Sequence, residues 1–69
     1  MELLMRKWVE KNGGTHQVGA LLGCKEATVR VWLRGDGSPT SEKINQIITL
    51  SKGRLSFKQI YSESTRNLK

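Results

Sequence analysis

THQVGALLGCKEATVRVWLRG, residues 15–35, is the stretch that decides the fold, because two short helical patterns meet there at a glycine. Each pattern carries apolar residues at three- and four-residue spacing: Val18, Leu21 and Leu22 in the first, and Val29, Trp32 and Leu33 in the second. Gly23 supplies a tight turn, and Gly19 is small where the second helix must cross the first closely. We therefore predict two consecutive helices that pack across this turn.

The same spacing predicts helices on both sides of this stretch. The apolar stripe of a first helix is Met1, Leu4, Met5, Trp8 and Val9, and that of a fourth is Ile44, Ile47 and Ile48. Thr15 is expected to cap the second helix, and Thr40 or Ser38 to cap the fourth. Both tryptophans, Trp8 and Trp32, lie on apolar stripes, which favours a place in the core over a role in stacking on bases.

A short fifth helix is predicted from Phe57 to Tyr61. Ser56 and Gln59 have the spacing of a capping box, and Leu55 and Ile60 stand where a hydrophobic staple would close over it. No strand-like alternation persists, so the fold class is all-α with five helices. Residues 1–61 form the predicted domain, and residues 62–69 a flexible tail.

The chain is strongly basic, with twelve Lys and Arg against six Asp and Glu and a net charge of +6. Small domains with this balance typically bind anions, most often nucleic acid and occasionally a membrane surface. The basic residues are not gathered in a tail, because residues 1–34 and 35–69 each hold six basic and three acidic side chains. A solvated surface that only favours solubility explains the charge equally well.

Size and composition argue against an enzyme. Sixty-nine residues make one small core, since such chains bury only about 60% of their extended surface. Cys24 and His16 are the only residues of their kinds, so neither a disulfide nor a metal site is expected, and nothing orients them as nucleophile and base. We expect no catalysis, cofactor or metal. Cys24 is better explained as a small buried hydrophobic residue.

No membrane association is expected either. The longest apolar run falls short of the ~18 residues of a membrane span, and the start of the chain lacks a signal-peptide core. The sequence is therefore expected to belong to a reduced, cytoplasmic protein.

Residues 15–35 resemble the helix-turn-helix of phage Cro and lambda-type repressors. The ending Thr-Val-Arg-Val-Trp-Leu-Arg-Gly is the most specific part, and the wider layout is similar over residues 1–61. Two positions depart from the family pattern. Gly19 replaces the commoner alanine, at a cost in helix stability of about 1 kcal/mol. Lys25 replaces a capping Ser or Thr and lies at the positive end of the helix dipole, where a nearby phosphate would offset the penalty.

The resemblance implies that the second helix of the motif reads bases in the major groove of DNA. The implied base-reading residues are Glu26, Ala27, Arg30 and Val31. Arg30 can bond guanine O6 and N7, Glu26 can accept from cytosine N4, and Ala27 or Val31 can touch a thymine methyl. For Glu26 two plainer roles stay open, a first-turn acid favoured by the helix dipole and an i, i+4 partner for Arg30. Arg30 itself has the alternative of a solvated surface charge.

Phosphate contacts are expected at the start of the first motif helix, where backbone N–H groups face the anion. The expected phosphate-binding residues are Thr15, His16, Gln17, Lys25, Arg34 and Lys43. Gly35 and the residues up to Ser38 form a loop whose backbone can approach DNA closely, since glycine has no side chain in the way.

The resemblance further implies a sequence-specific transcriptional regulator, a repressor of the Cro type, that binds a pseudo-palindromic operator as a homodimer. Phe57, Tyr61 and Leu68 are candidates for the dimer surface, although Phe57 and Tyr61 could equally complete the core. Two alternatives stay open. The first is an antitoxin-type autoregulator, which would need residues 62–69 to bind a partner. The second is a helical protein-interaction module whose basic face binds an acidic protein.

Overall fold

A computed structural model describes residues 2–68, so the predicted contribution of Met1 to the first apolar stripe lies outside the described residues, as does Lys69. The described chain forms five helices and no strand, which confirms the all-α prediction. In chain order these are α1 (Leu4–Lys11), α2 (Gly14–Leu22), α3 (Glu26–Arg34), α4 (Ser41–Leu50) and α5 (Phe57–Ser64).

One hydrophobic core joins all five helices. Its buried residues are Met5, Val9, Val18, Leu22, Val29, Trp32, Leu33, Ile44, Ile47, Leu55 and Ile60. Trp8, Cys24 and Ile48 are only partly buried against this cluster, so Cys24 packs as a small hydrophobic residue at the edge of the core. The inward placement of Leu21 is wrong: its side chain is 51% exposed over a groove that Thr49 and Leu50 also line.

The crossing of α2 and α3 depends on Gly19. A Cβ atom at this buried position would lie 2.9 Å from the carbonyl oxygen of Cys24, closer than real side chains approach. The Gly19 carbonyl also accepts a 2.8 Å hydrogen bond from the Cys24 N–H. A small residue was predicted here, but alanine is already too large for the distance between these two helices.

Side-chain capping follows the prediction at two helices and departs from it at α2. The Thr40 hydroxyl accepts from the Lys43 N–H at 3.3 Å, and the Ser56 hydroxyl accepts from the Gln59 N–H at 3.1 Å. The predicted cap Thr15 is wrong, because α2 begins at Gly14 and its cap position is Gly13, in the left-handed conformation, two residues before Thr15.

The start of α1 is capped from the far end of the chain. Glu63 of α5 is fully buried, and its two carboxylate oxygens accept hydrogen bonds of 2.9 Å from the N–H groups of Met5 and Arg6. Gln59 donates a third bond of 3.0 Å to the same carboxylate. The side chain of Gln59 therefore does not complete the predicted capping box with Ser56. A negative charge at a helix N-terminus is favoured by the helix dipole.

The prediction of a flexible tail from residue 62 is wrong for residues 62–68. The helix α5 continues to Ser64, which is fully buried, and the residues after it bond to the end of α3. Asn67 donates from its backbone N–H to the carbonyl of Gly35 at 2.9 Å. The buried positions of α5 after Ile60 are occupied by the polar residues Glu63 and Ser64. The apolar pattern in the sequence therefore ends about one turn before the helix does.

Candidate nucleic-acid interface

One face of α3 is buried in the core and the opposite face is open to solvent. Val29, Trp32 and Leu33 are at most 8% exposed. The outward positions Ala27, Thr28, Arg30 and Arg34 are exposed. Because the apolar side chains fix the rotation of the helix, these outward residues form a surface that a partner can reach.

Val31 is less available than predicted. Its side chain is half-buried, and a Cβ atom at Gly37 would lie 3.2 Å from its Cγ1 atom, so the loop after α3 covers part of it. Thr28 was not among the predicted base-reading residues, yet it is exposed on the same helix. Its sequence signal was the helical register itself, since position 28 lies away from the apolar stripe.

Glu26 joins α2 and α3 through a side-chain network. One carboxylate oxygen accepts a 2.7 Å bond from the Thr15 hydroxyl and a 3.0 Å bond from the Arg30 guanidinium. The bond from Thr15 is the largest cause of a lowered pKa of Glu26; the charge of Arg30 lowers it further, while desolvation opposes both. Thr15 and Arg30 thus hold Glu26 ionised. The i, i+4 pair of Glu26 with Arg30 is the plainer role that was left open for Glu26.

The two motif helices are also the two helices whose first N–H groups receive no side-chain cap. Thr40 and Ser56 cap α4 and α5, and the carboxylate of Glu63 serves α1. The cap positions of α2 and α3 are Gly13 and Lys25, and neither supplies a side-chain bond. Uncapped N–H groups and the positive end of the dipole make such helix starts suitable for an anion.

Apart from Thr15, which is bonded to Glu26, the predicted phosphate-binding residues fall into three groups. His16, Gln17 and Lys25 are exposed at the starts of α2 and α3. Arg34 is 64% exposed and lies 3.6 Å from Asp36, a surface ion pair. Lys43 is at the other end of α2 from Thr15, where its ammonium donates to the carbonyl of Leu22.

The end of α3 is fixed by cations that the sequence did not single out. The guanidinium of Arg66 donates to the Leu33 carbonyl at 2.6 Å, and that of Arg6 donates to the same carbonyl at 3.3 Å. The side-chain amide of Asn67 donates to the carbonyl of Arg34. Cations are favoured at helix C-termini, where carbonyls lack partners within the helix.

Gly35 allows this arrangement. Its φ of +81° is left-handed, and a Cβ atom there would lie 2.5 Å from the Cγ atom of Arg66. The glycine was predicted to bring backbone close to DNA, but contacts within the chain already account for it.

The candidate dimer residues are exposed. Phe57, Tyr61 and Leu68 are 44%, 51% and 59% exposed, so the alternative that Phe57 and Tyr61 complete the core is wrong. Phe57 and Tyr61 lie on α5, and Leu68 lies just beyond it.

Comparison of the chain with protein-family models, curated proteins and solved structures found no match. Among residues 2–68, none of the helices has both the length and the apolar character that a membrane span requires.

Proposed function

We propose that this chain is a sequence-specific double-stranded DNA-binding regulator of transcription, a repressor of the Cro type, that inserts α3 into the major groove. The observation that carries the proposal is the exposed outward face of α3 beside the uncapped starts of α2 and α3. An α-helix fits the major groove, and uncapped N–H groups next to it can hold the flanking phosphates.

Base reading is assigned to the exposed residues of α3. Ala27 and Thr28 offer a methyl group and a hydroxyl near the start of the helix, and Arg30 offers a guanidinium for guanine O6 and N7. Arg30 is 62% exposed, and its bond to Glu26 is a surface ion pair of the kind that exchanges at little cost. Val31 has a smaller part, because the loop at Gly37 covers some of its side chain.

Glu26 acts differently from the other three predicted base readers. Its carboxylate is already bonded to Thr15 and Arg30, so accepting from cytosine would mean giving up at least one of these partners. We assign it the role of orienting Arg30, whose guanidinium in turn partly neutralises the carboxylate charge that would otherwise repel phosphates. His16, Gln17, Lys25 and Arg34 supply phosphate contacts, and Thr15 contributes its backbone N–H, because its hydroxyl is bonded to Glu26. Lys43 is a more distant contributor.

A homodimer on a pseudo-palindromic operator completes the proposal. Two copies of α3 would enter the groove about one helical turn, roughly 34 Å, apart. Phe57, Tyr61 and Leu68 supply an exposed apolar surface for pairing. Occupation of the operator then gives repression.

Selection of binding sites from a pool of random duplexes tests this function. Enrichment of one sequence with approximate two-fold symmetry is expected, with an affinity that falls steeply as salt rises. Equal recovery of all duplexes, or affinity that does not respond to salt, would contradict the proposal.

The antitoxin alternative requires a free C-terminal tail, and most of the predicted tail is packed or bonded to the rest of the domain. Residues 62–68 would have to be available to a partner, whereas Ser64 is buried, and Arg66 and Asn67 are bonded to the end of α3. The protein-interaction alternative, a module whose basic face binds an acidic protein in place of DNA, stays open, and failure to enrich any duplex would favour it.

A further inference from the structure

A second basic surface lies on the flank of α1 that faces away from α3. On one flank of α1, Arg6 and Glu10 line a groove with Arg30 and Arg34 of α3. The other flank lines two adjoining grooves, which share Trp8, Lys11 and Arg54 and which no residue of α3 lines. We call these two grooves together the Trp8 surface.

The floor of the Trp8 surface is apolar. Leu4 and Trp8 are partly buried against the core, Leu55 is 3% exposed, and Leu50 lies at the edge with 45% of its surface exposed. The two grooves measure about 290 and 240 Å³. Each is at or below the lower end of the ~300–1,000 Å³ range of small-molecule sites. They therefore suit side chains that a partner presents one at a time.

The rim of the Trp8 surface carries positive charge only. Lys7, Lys11, Lys52 and Arg54 line the grooves, and no Asp or Glu does. Lys7 pairs with Glu2 at 2.9 Å, and both side chains are more than 60% exposed. Within residues 2–68, no carboxylate forms an ion pair with the other three cations.

Lys52 has an unfavourable backbone conformation. Its φ of +56° is left-handed, and it is the one non-glycine residue between residues 2 and 68 with a positive φ. A left-handed conformation crowds the Cβ atom of any L-residue, whereas glycine adopts it without strain and asparagine tolerates it. The helix dipoles at the ends of α1 and α4 favour Lys11 and Lys52, but they give no reason for Arg54 or for the absence of acids.

We propose that the Trp8 surface binds an acidic segment of a partner protein, in which carboxylates are interspersed with leucine or phenylalanine. The carboxylates pair with Lys11, Lys52 and Arg54, while an apolar side chain of the partner covers Trp8. A nucleic acid fits less well, because its regularly spaced phosphates would meet the negative ends of α1 and α4, whereas a peptide can place its few carboxylates beside the cations. This inference is independent of DNA binding by α3.

The experiment uses the intact chain and a short synthetic peptide of glutamate with interspersed leucine and phenylalanine. Binding is followed by tryptophan fluorescence, in which Trp8 responds because it is partly exposed, while Trp32 is 5% exposed. We expect a shift of the emission to shorter wavelength that Trp8→Phe abolishes. The same peptide with glutamine in place of glutamate, and a single-stranded oligothymidylate, are the comparison ligands.

Variants then separate the surface from general charge. The double variant Lys11→Gln/Arg54→Gln is expected to weaken peptide binding by about tenfold or more, equivalent to about 1.4 kcal/mol. The matched control Lys58→Gln, an exposed lysine of α5 outside both grooves, should change it less than about twofold. Lys52→Asn should raise the melting temperature while weakening binding, which a purely structural lysine would not do.

Three results would each overturn the proposal. One is equal binding of the glutamine peptide, since carboxylates would then be unnecessary. Another is an equal loss of binding free energy per removed charge in Lys58→Gln and in the double variant, which would indicate diffuse attraction only. The third is tighter binding of the oligothymidylate at the same residues, which would identify a nucleic-acid site.

Discussion

Removal of the Glu63 carboxylate should unfold much of the protein, because this one side chain caps α1 from inside the core. In Glu63→Ala the buried N–H of Met5 loses its acceptor, and the partly buried N–H of Arg6 loses another. A buried donor without a partner costs about 1–3 kcal/mol. The lost interaction with the helix dipole and the lost packing bring the total to about 3–5 kcal/mol. A domain of this size has a free energy of unfolding of only about 3–10 kcal/mol.

Urea denaturation followed by the fluorescence of the buried Trp32 measures this loss. With a slope near 1 kcal/mol per molar urea, the midpoint should fall by about 3 M or more, or the native state should be lost entirely. Glu63→Gln keeps the shape and one acceptor, so it should cost about 1–3 kcal/mol and still show a transition. The control Glu10→Ala, an exposed acid of α1, should stay within about 0.5 kcal/mol. A loss below about 1 kcal/mol in Glu63→Ala would refute the capping role.

Three further predictions concern the placement of α3. From helix propensity alone, Gly19→Ala should stabilise the protein by about 1 kcal/mol. Because the new Cβ atom would lie 2.9 Å from the carbonyl oxygen of Cys24, we expect a net loss of stability instead, measured by thermal unfolding. Arg66→Ala should cost about 1–3 kcal/mol and speed amide exchange at the end of α3, and unchanged exchange would contradict the anchoring role. Thr15→Val should raise the pKa of Glu26 toward its usual value in an NMR titration, and an unmoved pKa would contradict the network. Because the pKa of Glu26 is lowered in the folded state, its contribution to stability is present above the unfolded pKa and is lost as pH falls through the folded pKa. In Thr15→Val the two pKa values should lie closer together, so this acid-dependent part of the free energy of unfolding should be smaller.

Helical spacing predicted the five helices and most of the core, because burial of one apolar stripe decides the rotation of a short helix. It failed at Leu21, whose stripe position faces a groove between α2 and α4 that no side chain fills. It also failed after Ile60, where the inward residues Glu63 and Ser64 are polar. A buried carboxylate gives no apolar signal, and its partner, the start of α1, is almost the whole chain away in sequence.

The candidate interface could be predicted as a set of positions but not as a set of contacts. The apolar stripe of α3 requires Ala27 and Arg30 to face outward, and both are exposed. The sequence left open whether Glu26 pairs with Arg30, because side-chain rotamers and the separation of α2 from α3 decide it. The anchoring of α3 by Arg66 was hidden for a related reason, since the bond joins residues 33 positions apart. Whether any of these residues touches a base stays a prediction.

The central claim is that α3 reads DNA sequence, and a comparison of two variants on two duplexes tests it most directly. The affinities of wild type, Arg30→Ala and Lys25→Ala are measured for the selected operator and for a scrambled duplex of equal length. Arg30→Ala should lower the ratio of the two affinities by about 5- to 150-fold, the value of one bidentate contact of about 1–3 kcal/mol. Lys25→Ala should weaken both affinities alike and reduce the salt slope by about 1, leaving the ratio unchanged. An unchanged ratio in Arg30→Ala would contradict the claim.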